Sequence, residues 1–215
     1  MTEPIPDIEV YDPSFKAQAR VKWPATGELI ELPHVSIDYQ ASRRELDRHL
    51  RRAKIQHFYG HEFGKHHRKT WNGERWILPV EVSRMVPIII FADMLRTHLG
   101  HKILIGSSFR LAAYNTQEGQ SPTSKHLWAT ALDISSPAGV EAIRRAIEYL
   151  TSPEILPVTL ARLAERMRLA GHQVDSLTDT DIIRIGFGMY ESFVHIDVTL
   201  RGQPFARSKA VTRYQ

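Results

Sequence analysis

Cysteine is absent from the 215 residues. This excludes disulfides, thiol nucleophiles and thiolate zinc sites, and leaves any metal to histidines and carboxylates. Long apolar runs are missing too, since nothing approaches the ~20 residues of a membrane span. The opening MTEPIPDIEVYDPSF holds prolines and acids where a secretory signal needs a basic start and an apolar stretch. The expectation is a soluble protein made in the cytoplasm without a signal peptide and with no membrane partner. There is no GxxxxGK[ST], no GxSxG and no Ser-x-x-Lys pair, and Gly186-Phe187-Gly188 lacks the third glycine of a dinucleotide fingerprint. Nucleotide chemistry and serine acyl transfer therefore have no support. Internal repeats and low-complexity segments are also absent.

What is present is a chain 42% hydrophobic and 24% charged, enough for a full core in one domain with an extension, or in two small domains. Lys and Arg number 28 against 24 Asp and Glu, a net charge of +4. Much of the excess lies in Ser42 to Lys54 (SRRELDRHLRRAK). Such a segment reads first as a solvated helix face, so no nucleic-acid partner is expected.

Residues 1–55 read as an N-terminal extension. Repeated prolines are followed by two short β-prone runs, Ala19 to Trp23 and Glu28 to Leu32, which predict a hairpin. A helix then follows to about Ala53, with Ser42 and Glu45 as a capping box and a thin apolar face that suits the surface. Residues 56–215 read as the main domain. Val82, Met85, Val86, Ile89, Ile90, Met94, Leu95 and Leu99 recur at helical spacing before Gly100, with Pro87 as a candidate kink. Strands are expected at Lys102 to Gly106, Ala131 to Ile134, Ile182 to Gly188 and Phe193 to Thr199. Helices are expected at Val140 to Leu150 and Pro157 to Ala170, and a turn at Tyr190 to Ser192.

The last strand carries the chemistry. Period-2 alternation puts Val194, Ile196 and Val198 on one face and Phe193, His195, Asp197 and Thr199 on the other. Upstream, SKHLWATALD places His126 in a loop seven residues before Asp133 at a strand. Two imidazoles and a carboxylate suit zinc and leave one tetrahedral position for water. Glu191 and Asp197 are the carboxylates near His195 in sequence that could serve as a base. The cluster His57, His61, Glu62, His66 and His67 fails as a zincin motif because Lys65 stands at its fifth position, and no ligands are assigned there. Trp23, Trp71, Trp76 and Trp128 read first as core or half-buried residues; Trp128, between His126 and Asp133, is the one placed near the site, where a wall of the substrate pocket is the alternative reading.

Ser124-x-His126, Ala131-x-Asp133 and Phe193-Val194-His195-x-Asp197 resemble the zinc D-alanyl-D-alanine carboxypeptidases and their endolysin relatives, the superfamily that also contains the hedgehog signalling domain. Ser107-Ser108-Phe109-Arg110-Leu111-Ala112-Ala113-Tyr114-Asn115 is similar to the family's Ser-Gly-Tyr-Arg-Ser-x-x-Tyr-Asn stretch, and the likeness covers roughly residues 57 to 199. The resemblance implies an α+β fold: a small, mainly antiparallel sheet bearing a zinc site, with helices packed on the other face. It implies His126, Asp133 and His195 as zinc ligands, Arg110 gripping a substrate carboxylate or polarising the scissile carbonyl, and Ser124 orienting substrate. Glu191 matches the hedgehog base position. Hedgehog takes its last ligand two residues further on, so Asp197 is the alternative third ligand, with His195 then stabilising the oxyanion.

The implied activity is hydrolysis of peptidoglycan stem peptides or cross-links, as a carboxypeptidase or an endopeptidase. The partners would be wall peptides, reached after release or, if phage-encoded, from a virion. A non-catalytic structural or binding protein that keeps the fold is the other reading. The chain departs from the family pattern at Ala129 in place of Gly, at Ser108-Phe109 in place of Gly-Tyr, and in a longer helical insertion after Asp133. A Gly at a tight approach is not always replaced by Ala without a backbone shift.

Overall fold

The computed structural model describes residues 20–22, 29–34, 36, 38–64, 77–110, 124–174, 182–201 and 210–214. The expected N-terminal hairpin forms: β1 (Arg20–Lys22) pairs antiparallel with β2 (Leu29–Glu31), with Val21 opposite Ile30. The basic helix, α1 (Tyr39–Arg52), starts earlier than the capping-box reading. Its cap is Asp38, whose Oδ1 accepts the Ala41 N–H at 2.8 Å. Ser42 is instead buried inside the helix, its hydroxyl bonded to Ser36 Oγ at 2.7 Å. Nor does α1 float on the surface, because Tyr39, Leu46 and Leu50 enter the main core together with Ala53. Positions 39, 46, 50 and 53 fall on one stripe, so a few apolar residues correctly spaced outweigh a basic average composition.

A 310 turn at Val82–Met85 leads into α2 (Val86–Leu99). Pro87 lies in the first turn of α2, where its missing N–H would have had no partner, so it starts the helix and does not kink it. Gly100, at φ 68°, ends it in the left-handed conformation that glycine adopts without penalty. α2 is apolar nearly all round and sits at the centre, packed on α1, on α3 (Val140–Leu150), on α4 (Leu156–Leu169) and on the sheet. Among the described residues no helix is long and apolar enough to cross a membrane.

The main sheet has the order β3-β4-β6-β5-β7, from β3 (Leu104–Ser107), β4 (Ala131–Ser135), β5 (Ile183–Met189), β6 (Val194–Leu200) and β7 (Val211–Tyr214). All neighbours are antiparallel except β5 with β7, a parallel pairing the sequence reading did not include. Leu132, Ile134, Ile185, Phe187, Val194, Ile196 and Val198 point into the helical core. The alternate residues, among them Asp133, His195 and Asp197, lie on the opposite face. The fold is thus the expected α+β architecture, with a mainly antiparallel sheet and helices against one face.

Candidate metal centre

Strand register brings the first two residues together. Asp133 of β4 stands directly opposite His195 of β6, so both side chains rise from the same face. His126 arrives from a 310 turn, Lys125–Trp128, that precedes β4. Ala129 ends that turn at φ 60° and ψ 28°, the left-handed region, and this reversal lets the chain enter β4 after so short a loop. Ala129, where the pattern the chain resembles has glycine, thus keeps a left-handed backbone and carries a buried methyl.

Three ligand atoms, one each from His126, Asp133 and His195, lie within 4.8 Å of one another. His126 Nε2 is 3.1 Å from Asp133 Oδ1 and 3.0 Å from His195 Nδ1, and His195 Nδ1 is 2.8 Å from Asp133 Oδ1. The other nitrogen of His126, Nδ1, is 2.5 Å from the Ser108 carbonyl. A carbonyl can only accept, so Nδ1 carries the proton and Nε2 presents a lone pair. Burial pushes the His126 imidazole down to about 4 against the opposing pull of Asp133, so the ring is neutral near pH 7. Burial alone would raise the Asp133 carboxyl, but the charges and hydrogen bonds of His126 and His195 outweigh it and hold the group well below the usual carboxylate range. A lone pair, a carboxylate oxygen and a second imidazole nitrogen thus face one another, with at most one proton to share. That donor set fits a divalent cation, and its two nitrogens and one oxygen suit zinc.

Neighbouring groups hold these side chains in place. Arg110 Nη2 donates to the second oxygen of Asp133, while Arg110 Nε donates to Ser107 Oγ at 2.9 Å. Ser108, whose carbonyl orients His126, donates its own hydroxyl to the Phe63 carbonyl of the 310 turn Gly60–Phe63. Asp197 is fully buried on the Nε2 side of His195, its Oδ2 3.9 Å from that nitrogen, and is not among the three converging groups. It packs over β5, where Gly186 stands directly opposite. A Cβ built at Gly186 would overlap the Asp197 carboxylate and stand 2.9 Å from its Cγ.

The remaining expected site residues are more dispersed. Glu191 is exposed in the bend between β5 and β6, four residues before His195. Ser124 precedes the 310 turn of His126 and makes no side-chain cap to it. Trp128 ends that turn and is only 5% exposed, with the Arg84 guanidinium 4.5 Å from its ring centre. His57, His61 and Glu62 form no metal-ligand group among the described residues, and His57 hydrogen-bonds Thr97 at 3.1 Å. His66, His67, Trp23, Trp71, Trp76 and the stretch from Leu111 to Asn115 lie outside the described residues.

The sequence reading missed the Ser108 carbonyl and Gly186. The two-residue turn Glu191–Ser192, closed by the Tyr190 N–H to the Phe193 carbonyl, sets Gly186 opposite Asp197. The expected turn at Tyr190 to Ser192 is one residue longer and would have put Gly186 opposite Ile196. No curated protein and no solved structure matches the chain. A family model described as Peptidase M15 matches residues 80–157, the stretch that holds α2, β3, His126 and Asp133, and this supports the M15 zinc peptidases broadly as the family the chain resembles.

Proposed function

We propose that the protein is a zinc metallopeptidase that hydrolyses peptide bonds in peptidoglycan stem peptides or their cross-links. The observation that carries this reading is the convergence of His126 Nε2, Asp133 Oδ1 and His195 Nδ1 on one point, together with the Peptidase M15 match over residues 80–157. Zinc held by these three would supply Lewis-acid polarisation of an amide carbonyl and activation of water near neutral pH.

The chain's own residues then divide the remaining work. The Ser108 carbonyl fixes the His126 tautomer, and Arg110 holds the outer oxygen of Asp133 so that Oδ1 faces His126 Nε2 and His195 Nδ1. Arg110 is already engaged in this way, so its part in the proposal is to orient Asp133 and to leave one edge of the site positive for a substrate carboxylate. Asp197 backs His195 on the Nε2 side. Glu191 is the exposed carboxylate that takes a proton from the attacking water and returns it to the leaving amine, so that an amide and water yield a carboxylic acid and an amine. Ser124 flanks the loop that brings His126 in.

The test is zinc content by elemental analysis of the wild type beside His126→Ala, with peptide release from purified sacculi assayed on the same samples. Near-stoichiometric zinc and peptide release, both lost in the variant, are the expected result. Zinc without release in the wild type would leave a metal-binding module that keeps the fold but not the activity. No zinc under metal-replete conditions would overturn the site.

A further inference from the structure

The tip of the β5–β6 hairpin carries two aromatic rings that the metal centre does not use. Tyr190 and Phe193 stack face to face, with ring centroids 4.4 Å apart and planes 9° from parallel. The turn beneath them is closed by the Tyr190 N–H to the Phe193 carbonyl at 3.0 Å. Tyr190 is 47% exposed, so apolar area is spent on solvent at the tip of a hairpin whose geometry the backbone already secures. Register fixes where the pair points. Gly188 faces His195 across the hairpin and Gly186 faces Asp197, so Tyr190 and Phe193 are the next pair along the same face. At strand spacing this puts them about 7 Å from the metal-ligating residue along the sheet. His98 and Tyr149, also stacked with one ring exposed, lie on the helical side and share no strand face with the site.

We propose that the Tyr190–Phe193 stack is a platform for a sugar ring of the glycan strand that bears the scissile stem peptide, an inference that rests on the peptidoglycan reading above. A pyranose offers a flat face of C–H groups to a π surface and keeps its hydroxyls in the ring plane, within reach of the Tyr190 phenol and the Ser192 hydroxyl at the same tip. A stem peptide hangs directly from such a sugar. A ring platform one residue pair from the catalytic face therefore reads the part of the substrate that distinguishes wall-attached peptide from free peptide.

The experiment compares Tyr190→Ala, Phe193→Ala and Tyr190→Trp with the wild type on two substrates: disaccharide-linked stem peptides, and the same peptides with the sugars removed. Zinc content is measured on every sample. Each alanine variant is expected to lose about tenfold in kcat/KM on the sugar-bearing substrate, an aromatic contact's worth. Cleavage of the sugar-free peptide and zinc content should stay at wild-type level, and Tyr190→Trp should retain the preference. Equal losses on both substrates, or no loss on either, would overturn the platform. If the wild type cuts neither substrate, calorimetric titration of the same two ligands decides. Binding that needs the sugar and weakens in Tyr190→Ala would uphold the platform while the peptidase reading fails, and sugar-independent or absent binding would overturn it.

Discussion

Two buried carboxylates, one on each side of the sheet, show how the same side chain closes one region and leaves another chemically open. Asp93 of α2 is 1% exposed and meets only donors: the Gln56 and His57 N–H groups at 3.1 and 2.9 Å on one oxygen, and Arg166 at 2.7 Å on the other. Arg166 in turn donates to the Ala53 and Lys54 carbonyls at the end of α1, so one ion pair ties α1, α2 and α4 together. Asp133 has one comparable donor, Arg110, and its remaining oxygen faces two imidazole nitrogens, at least one of them a lone pair. A saturated carboxylate is a structural tie, and a carboxylate set among acceptors is an invitation to a cation.

The largest effect should come from breaking the saturated tie. Asp93→Ala leaves the Arg166 guanidinium and two amide protons without their partner, and it should cost about 3–5 kcal/mol in urea unfolding. Asp133→Asn in chelator-treated protein should cost only about 1–2 kcal/mol, because the lost ion pair with Arg110 is offset by an amide N–H that can donate to a ring nitrogen. Zinc reverses the order of importance. At a hundredfold excess over its Kd, zinc should stabilise the wild type by about 2.7 kcal/mol and Asp133→Asn not at all. Comparable losses from both substitutions without metal, or zinc stabilisation that survives Asp133→Asn, would erase the contrast.

Acid should sharpen the same distinction. His126 is held down to about 4 by burial, against an ordinary value of 6.5. The unfolded chain therefore binds the proton more readily than the folded one between these values. The resulting stability is complete above pH 6.5 and is lost as the pH falls towards 4, at no more than about 1.4 kcal/mol per pH unit for one proton. Urea midpoints of metal-free protein across that window should fall for the wild type and fall less for His126→Gln, which does not titrate. An unchanged slope in the variant would mean that His126 is not the buried neutral base.

Gly186→Ala probes the packing behind His195. Its methyl has no room beside the Asp197 carboxylate, so Asp197 must move, and zinc affinity should drop about tenfold as for other changes behind a ligating histidine. Gly106→Ala on β3 is the control, since the nearest atom to its new methyl is the Asp133 carbonyl at 3.4 Å, an ordinary contact. Competition titration with a zinc chelator reads both, and equal affinities for the two variants would remove Asp197 from the argument.

Legibility followed the physics of each element. Alternation in Phe193 to Thr199 put His195 and Asp197 on one face, because a half-buried strand writes its pleat into the sequence. The α2 pattern and its Gly100 stop were equally plain. The start of α1 was not, because Ser42 and Glu45 satisfy the capping pattern while Asp38 makes the bond, and only packing of Tyr39 and Leu46 decides between them. β7 was invisible because Val211–Tyr214 is short and its pairing partner, β5, lies more than 20 residues earlier. The partner of Arg110 could not be read at all: a guanidinium two dozen residues before a carboxylate becomes its neighbour only through the β3–β4 register.

The smallest effect concerns Ala129, where the helical side again supplies the comparison. Gly100 ends α2 at φ 68° with no atom within 4 Å of where a Cβ would stand, so glycine there answers a backbone need alone. Ala129 meets the same need at φ 60° but buries its methyl among the residues that join His126 to β4. A left-handed alanine costs about 1–2 kcal/mol against glycine, and a buried methyl together with the extra freedom of an unfolded glycine returns most of that. Ala129→Gly should therefore raise stability by no more than about 0.5–1 kcal/mol, with zinc content unchanged. A loss of stability would show that the methyl's packing outweighs the strain, and that the alanine is an adaptation of this chain's core.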